Sequence, residues 1–264
     1  MVTEAVASFM PVLNEENRIR RAISSLQQQT HPISKLVIVD GGSTDSTVES
    51  IESIEPETDF DIDLYVLEGA GVRYSSQFGA ERAAEYLIER DVPDNVVLRL
   101  EGDSALEETF VETAISWLAD DTYSVFGAPV RPHRPRARPL TKRLFTLIQN
   151  AEMLPKGRGM AFRASDFYAV DGYRMEPSED IKSSKIDCLE DGILVSKLQK
   201  QGAVGFSHDT YVYSTVPSTS ALSPNRWWLA ARIEWEIGPT SYFTRIANPL
   251  NTLRYAGRRL TNLR

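Results

Sequence analysis

The stretch Leu36-Val37-Ile38-Val39-Asp40-Gly41-Gly42-Ser43-Thr44-Asp45 decides how this chain is read. Four consecutive apolar residues suit a strand buried on both faces, as in a parallel sheet covered by helices. Asp40 ends the run. Gly41 and Gly42 allow a tight turn and close backbone approach. Ser43, Thr44 or Asp45 can then cap a helix that continues to residue 54. Strand, turn and capped helix in succession predict a wound α/β sheet, which presents ligands at the carboxyl ends of its strands. Taken alone, the stretch is more simply a plain turn with a capped helix behind it.

Working outward, the same alternation repeats. Residues 6–10 are a β-rich run ending at Pro11, and residues 18–29 place Ile19, Ala22, Ile23 and Leu26 on one helical face. Residues 64–67 read as a third strand and 96–100 as a fourth. Between them residues 76–90 read as a helix with Phe78, Ala83 and Leu87 turned inward. After residue 108 the pattern loosens, with a helix over 109–118, strands over 124–128 and 159–162, and a helix over 164–170. A helix over 190–201 turns Ile193, Leu194 and Leu198 inward, and short strands cover 204–206 and 211–213. Pro132, Pro135 and Pro139 interrupt the run of Arg131, Arg134, Arg136 and Arg138. It cannot be a regular helix, and reads as a mobile basic loop, leading into a helix over 140–150, that grips phosphates or is merely solvated. Residues 226–264 are aromatic-rich and mostly helical.

Composition bounds the function. The lone Cys188 excludes an internal disulfide and reads as a small buried hydrophobe; His31, His133 and His208 are scattered and suggest no metal site. No apolar run approaches the roughly 20 residues that span a bilayer. Residues 1–10 carry Glu4 and no basic segment, unlike a secretory leader. The expectation is a cytoplasmic protein, soluble or peripheral at a membrane. The net charge of −8 divides unevenly: residues 1–130 hold 25 acids and 8 bases, while residues 131–264 hold 12 acids and 21 bases. The acidic half argues against a nucleic-acid-binding module, whose basic surface would carry stacking aromatics. The last 25 residues contain five Arg and no acid, a pattern that suits either contact with anionic lipid or a plain basic tail.

Four short constellations carry candidate chemistry. Pro11-Val12-Leu13-Asn14-Glu15-Glu16 follows the first strand, and Asp40-Gly41-Gly42 follows the second, where Asp40 can accept hydrogen bonds from a nucleobase or ribose. Glu101-Gly102-Asp103 ends the fourth. Two carboxylates one residue apart share a side of an extended segment and suit a divalent cation bridging a diphosphate. Glu190-Asp191-Gly192 heads a helix, where an acid favours the helix N-terminus or serves as a general base.

In this order and spacing these stretches, with Gln29-Thr30-His31-Pro32, Gly157 to Phe162, Gly172-Tyr173, Lys197-Leu198 and Gly202, resemble the family-2 glycosyltransferases of GT-A fold. The match covers roughly residues 5 to 215. It implies an α/β fold with a Rossmann-like, wound, mostly parallel sheet flanked by helices. Residues 1–220 would form the transferase domain, with a nucleotide-binding half at 1–105 and an acceptor-binding half at 106–220. Residues 221–264 would form a helical basic extension. The activity implied is inverting transfer of a sugar from a UDP- or GDP-linked donor to a glycan, protein or lipid-phosphate acceptor.

The resemblance also implies roles. Pro11, Asn14, Glu15 and Gly41 would line the nucleotide pocket, with Asp40 holding the base and Arg73 near the ribose and phosphates. Glu101, Gly102 and Asp103 occupy the Asp-X-Asp positions, with Asp103 the surer ligand of Mg²⁺ or Mn²⁺. Asp191, beside Glu190, takes the place of the catalytic base. Three departures stand out: Glu101 replaces the first Asp, Gln77 replaces the usual Asn of the third helix, and Asn225-Arg226-Trp227 only partly matches the Gln-X-X-Arg-Trp motif of processive members. The last of these points to addition of one sugar. A nucleotidyltransferase would carry a Gly-rich basic loop directly after the first strand, where this chain puts acids before bases. A fold retained without catalysis would leave Asp40, Asp103 and Asp191 repelling one another at one sheet edge.

Overall fold

The computed structural model describes residues 5–90, 95–133, 155, 157–174 and 190–214. Apart from Pro132 and His133, these fall in one compact unit, Met1–Arg131 with Leu154–Ser214. The chain alternates strand and helix as far as α3: β1 (Val6–Val12), α1 (Ile19–Gln27), β2 (Lys35–Asp40), α2 (Thr47–Ile54), β3 (Asp61–Val66), α3 (Val72–Ile88) and β4 (Val96–Leu100). Then follow β5 (Ser104–Leu106), α4 (Phe110–Leu118), β6 (Tyr123–Gly127), β7 (Val130–Pro132), β8 (Gly159–Arg163) and α5 (Ala164–Ala169). The last described elements are α6 (Glu190–Leu198), β9 (Ala203–Phe206) and β10 (Val212–Ser214).

The main sheet has the order β3-β2-β1-β4-β8-β6-β9, and β5, β10 and β7 form a second, three-stranded sheet. Only β8 runs against the others in the main sheet, antiparallel to both β4 and β6. The fold is therefore α/β with a wound, mostly parallel sheet. Its strands come from both sides of residue 105, so the two expected halves share one sheet.

Burial follows the hydrophobic pattern. Leu36, Val37, Ile38 and Val39 of β2 are all buried, as are Val6, Ala7, Phe9 and Met10 of β1. Each of these apart from Ala7 contributes about 1.5–3 kcal/mol on leaving water. Helix α1 buries Ile19, Ala22, Ile23 and Leu26, the face the periodicity predicts.

Helix α3 corrects its sequence reading. It begins at Val72 and buries Ser75, Ser76, Gly79, Ala80, Ala83, Ala84 and Leu87. Phe78 is only half-buried and meets Tyr65 edge-on at 5.0 Å. Small residues bring this helix down onto β1 and β2: a Cβ at Gly79 would stand 3.1 Å from the Phe9 ring and 3.2 Å from Val39. Strand β3 starts at Asp61, not residue 64, because alternating polar residues are tolerated at a sheet edge. On α6 the buried apolar side chains are Leu194, Val195 and Leu198, and Ile193 is not among them. Arg131 lies in β7 rather than in a loop, exposed, with its guanidinium 3.0 Å from the centre of the Tyr211 ring. The expected helix over 140–150, Arg134, Arg136, Arg138, Cys188 and the C-terminal extension lie outside the described residues. No helix among the described residues is long and apolar enough to cross a membrane.

Replacing Gly79 by Leu should overpack this contact and lower stability by about 1–3 kcal/mol. Urea unfolding should show a lower midpoint at unchanged slope.

Candidate active site

Strands β1, β2 and β4 end at one edge of the sheet, and the segments 13–18, 41–46 and 101–103 follow them. The reversed β8 starts at that same edge, with Gly159 opposite Leu100, so Arg158 comes beside Glu101. Pro11 stands opposite Val39, beyond the last β1–β4 pair at Phe9 and Arg99. Its missing N–H therefore costs the sheet no ladder bond.

The first two segments are laced together. Asn14 adopts left-handed backbone, φ 57°, which asparagine tolerates. Its Oδ1 accepts from the Thr44 amide at 2.9 Å, and its own N–H donates to Ser43 Oγ at 2.9 Å. The Glu15 amide donates to Thr47 Oγ1 at 2.7 Å, and the Ser46 amide to Glu16 Oε2 at 3.1 Å.

Asp40 is fully buried, and the turn it begins engages its carboxylate. Oδ2 accepts from the Gly42 and Ser43 amides at 2.9 and 2.8 Å, and Oδ1 from the Ser43 hydroxyl. The sequence reading offers this carboxylate to a base; the structure has it closing an Asx turn. Gly42 takes φ 94° with Glu68 Cα only 3.2 Å from where a Cβ would stand, so no side chain fits. The amides of Leu67 and Gly69 donate to the carbonyls of Asp40 and Gly41 at 2.8 and 3.1 Å. That contact brings the start of α3, with Arg73 in its first turn, towards the Gly41 turn.

The acids come from three places. Glu15 pairs with Arg18; burial raises its carboxyl pKa, against the pull of Arg18. Gly102 packs beneath Glu15 and Val12. Asp103 Oδ1 accepts from the Ser104 hydroxyl at 2.7 Å, and Arg21 donates to the Asp103 carbonyl at 2.5 Å. Asp191, in the first turn of α6, accepts the Gly157 amide at 3.1 Å on Oδ2 and the Gly192 amide at 2.8 Å on Oδ1. Glu190 is buried and pairs at 2.5 Å with Arg99.

Arg99 is the residue that sequence reasoning passed over. Its side chain is 0% exposed. Nη1 donates to the Tyr173 hydroxyl at 3.2 Å, and Nη2 lies 2.5 Å from Glu190 Oε1 and 3.6 Å from Glu101 Oε1. The other oxygen of Glu101 is 3.4 Å from Arg158 Nε. Burial pushes the Glu101 carboxyl up to about 7; Arg158 and Arg99 oppose the rise, while Asp103 and Asp191 add to it. Burial also raises the Glu190 carboxyl, against Arg99. Glu101, Asp103, Glu190 and Asp191 thus share one electrostatic neighbourhood. The available signal was an arginine inside the apolar run Val96-Val97-Leu98-Arg99-Leu100.

Tyr173 is fixed in turn. Its amide donates to Gln77 Oε1 at 2.6 Å. Lys197 donates to the carbonyls of Val170 at 3.2 Å, Gly172 at 2.9 Å and Arg174. Gln77, a departure from the family pattern, therefore holds the loop that carries Tyr173.

Among the described residues, no three or more His, Cys, Asp or Glu side chains gather into a metal-holding group. Glu101 lies 3.6 Å from Arg99 and 3.4 Å from Arg158, and two guanidiniums so near weaken its hold on a cation relative to Asp103. Asp103 fits the sparse ligation of Mg²⁺ or Mn²⁺, which take one or two carboxylates and fill their shells with phosphate and water.

The family model for glycosyl transferase family 2 matches residues 8–174. Glycosyltransferase GlyA of Streptococcus pneumoniae is 27% identical over 113 residues; the match covers 43% of this chain and 15% of that protein. Among solved structures, S. aureus TarS superposes with a TM-score of 0.57 at 17% identity, over 87% of this chain and 40% of that one. TarS 1–349 in complex with UDP-GlcNAc gives 0.58 at 16% identity, over 88% of this chain and 66% of that one. The mannosyltransferase PcManGT from Pyrobaculum calidifontis, in complex with GDP-Man and Mn²⁺, gives 0.57 at 18%, over 87% of this chain and 61% of that one. At such identities the likeness is one of fold.

The Glu101 carboxyl generates a pH test. Its folded value of about 7 lies above the ordinary 4.5. Below about pH 4.5 both folded and unfolded states hold the proton. As pH rises to 7 the unfolded chain releases it first, so this group withdraws stability across that window and no more above it. Glu101→Gln, compared with the parent chain without divalent cations, should become relatively more stable from pH 4.5 to 7. The gain should reach at most about 3 kcal/mol, less as water screens the partly exposed carboxyl. Parallel Tm-against-pH curves would remove this account.

Proposed function

The chain belongs to glycosyl transferase family 2, and on that premise we propose that it transfers one sugar from a UDP- or GDP-linked donor to an acceptor hydroxyl or lipid phosphate, inverting the anomeric carbon. The observation that carries the reading is the Arg99 guanidinium, which lies 3.6 Å from Glu101, two residues before Asp103, and 2.5 Å from Glu190, the neighbour of Asp191 at the start of α6. The TarS complex with UDP-GlcNAc and the PcManGT complex with GDP-Man support a nucleotide-sugar donor.

The donor would lie over the laced segments after β1 and β2. Pro11, Asn14, Glu15 and Gly41 line that wall, Asp40 shapes it from behind, and Arg73 approaches from α3 towards the phosphates. Asp103 would hold Mg²⁺ or Mn²⁺, which when bound neutralises charge on a departing diphosphate. Asp191 takes the proton from the acceptor hydroxyl, its oxygens aimed by the Gly157 and Gly192 amides. The freed oxygen then attacks the sugar from the face opposite the leaving group. Glu190 acts through Arg99 rather than on the acceptor. The five arginines of the acid-free final 25 residues support a lipid-phosphate acceptor met at the cytoplasmic face of a membrane.

Asp103→Ala should abolish the Mn²⁺-dependent part of UDP or GDP binding, read as a thermal shift; a shift indifferent to Mn²⁺ in the parent chain removes the metal role. Asp191→Asn should keep donor binding and slow transfer by about 10²–10⁴-fold. Turnover near the parent's would assign the base elsewhere.

A further inference from the structure

We infer that Arg99 is a positioning residue of the transfer reaction, joining the acids of β4 to those of α6 through one buried guanidinium. The inference rests on the transferase reading above. Burying an arginine without exposure costs several kcal/mol unless its charge and donors are met, and an apolar residue would serve a structural core without that cost. Here the guanidinium reaches three separate segments: Glu101 just after its own strand, Tyr173 in the loop after α5, and Glu190 at the start of α6.

Its position fixes Asp191 by two routes. Glu190, the preceding residue, is tied directly to it. Gly157, whose amide bonds Asp191, lies so near the guanidinium that a Cβ would stand 2.6 Å from Arg99 Cζ. A side chain at residue 157 would have to displace the guanidinium. The same guanidinium holds Glu101 two residues before Asp103. One group therefore sets the spacing between the proposed donor side and the proposed base. The fork geometry matters, since Nη1 and Nη2 reach different segments and a lysine presents a single point of charge.

The test separates fold from alignment. Arg99→Met alone leaves Glu190 buried and unpaired, and should lower Tm strongly. Arg99→Met with Glu190→Leu removes both charges and should recover most of that Tm. Tm, nucleotide binding by calorimetry with UDP or GDP and Mn²⁺, and initial rates of sugar transfer would be measured on the parent, the double variant and Arg99→Lys. A merely structural arginine predicts that rate returns with stability. The positioning role predicts a double variant that is folded and binds nucleotide within about threefold of the parent, yet has kcat at least tenfold lower. Arg99→Lys should likewise lose kcat more than KM. A double variant with the parent's kcat overturns the inference. A parent chain inert towards every UDP- and GDP-sugar overturns the transferase reading, and the inference with it.

Discussion

A guanidinium sealed inside a sheet sets the terms for everything around it. Arg99 is wholly buried on β4, and the surrounding chain supplies the carboxylates and hydroxyl that make its burial tolerable. Those carboxylates are the same acids, or immediate neighbours of the acids, that sequence motifs single out. The dependence is mutual: Glu190, buried at the start of α6, has Arg99 as its close countercharge, and Glu101 lies 3.6 Å from the same guanidinium. The loop after α5 belongs to the same arrangement, because Gln77 and Lys197 hold the backbone on which Tyr173 meets Arg99.

The other wall of the site is built mainly from hydrogen bonds to backbone amides, with the Glu15–Arg18 pair beside them. Segments 13–18 and 41–46 satisfy one another's backbone amides through Asn14, Ser43, Asp45, Glu16 and Thr47. Short polar side chains do this work because they reach a neighbouring amide with little rotamer entropy to lose. The wall is polar, closely bonded and positioned at the strand ends, where a wound sheet receives its ligand.

The sheet was legible in the sequence because continuous apolar runs such as Leu36 to Val39 have few other uses, and α1 because its apolar spacing is helical. On α3 the spacing placed Ala83 and Leu87 on the buried face but also turned Phe78 inward, because periodicity rewards bulk, while Gly79, Ala80 and Ala84 of the packing face carry little hydrophobic signal. The acids of the site were visible as motifs, but their partners were not. Arg99 pairs across 91 residues with Glu190, and no local pattern records such a distance. Asp40 stands where the motif puts it, with its carboxylate also engaged by its own turn, a bond the motif does not record.

Glu101 draws these strands together. Where the family places aspartate, this chain has a side chain one carbon longer, with its two oxygens directed at Arg99 and Arg158 respectively. A carboxylate shared between two guanidiniums is a poor ligand for a cation and a good tether between strands β4 and β8. On the proposed reading, the metal is left to Asp103, while the first acid of the pair becomes part of the framework that Arg99 organises. The departure from the motif and the arginine inside the strand then meet in one place: the longer acid reaches towards the buried guanidinium, whose close carboxylate partner is Glu190.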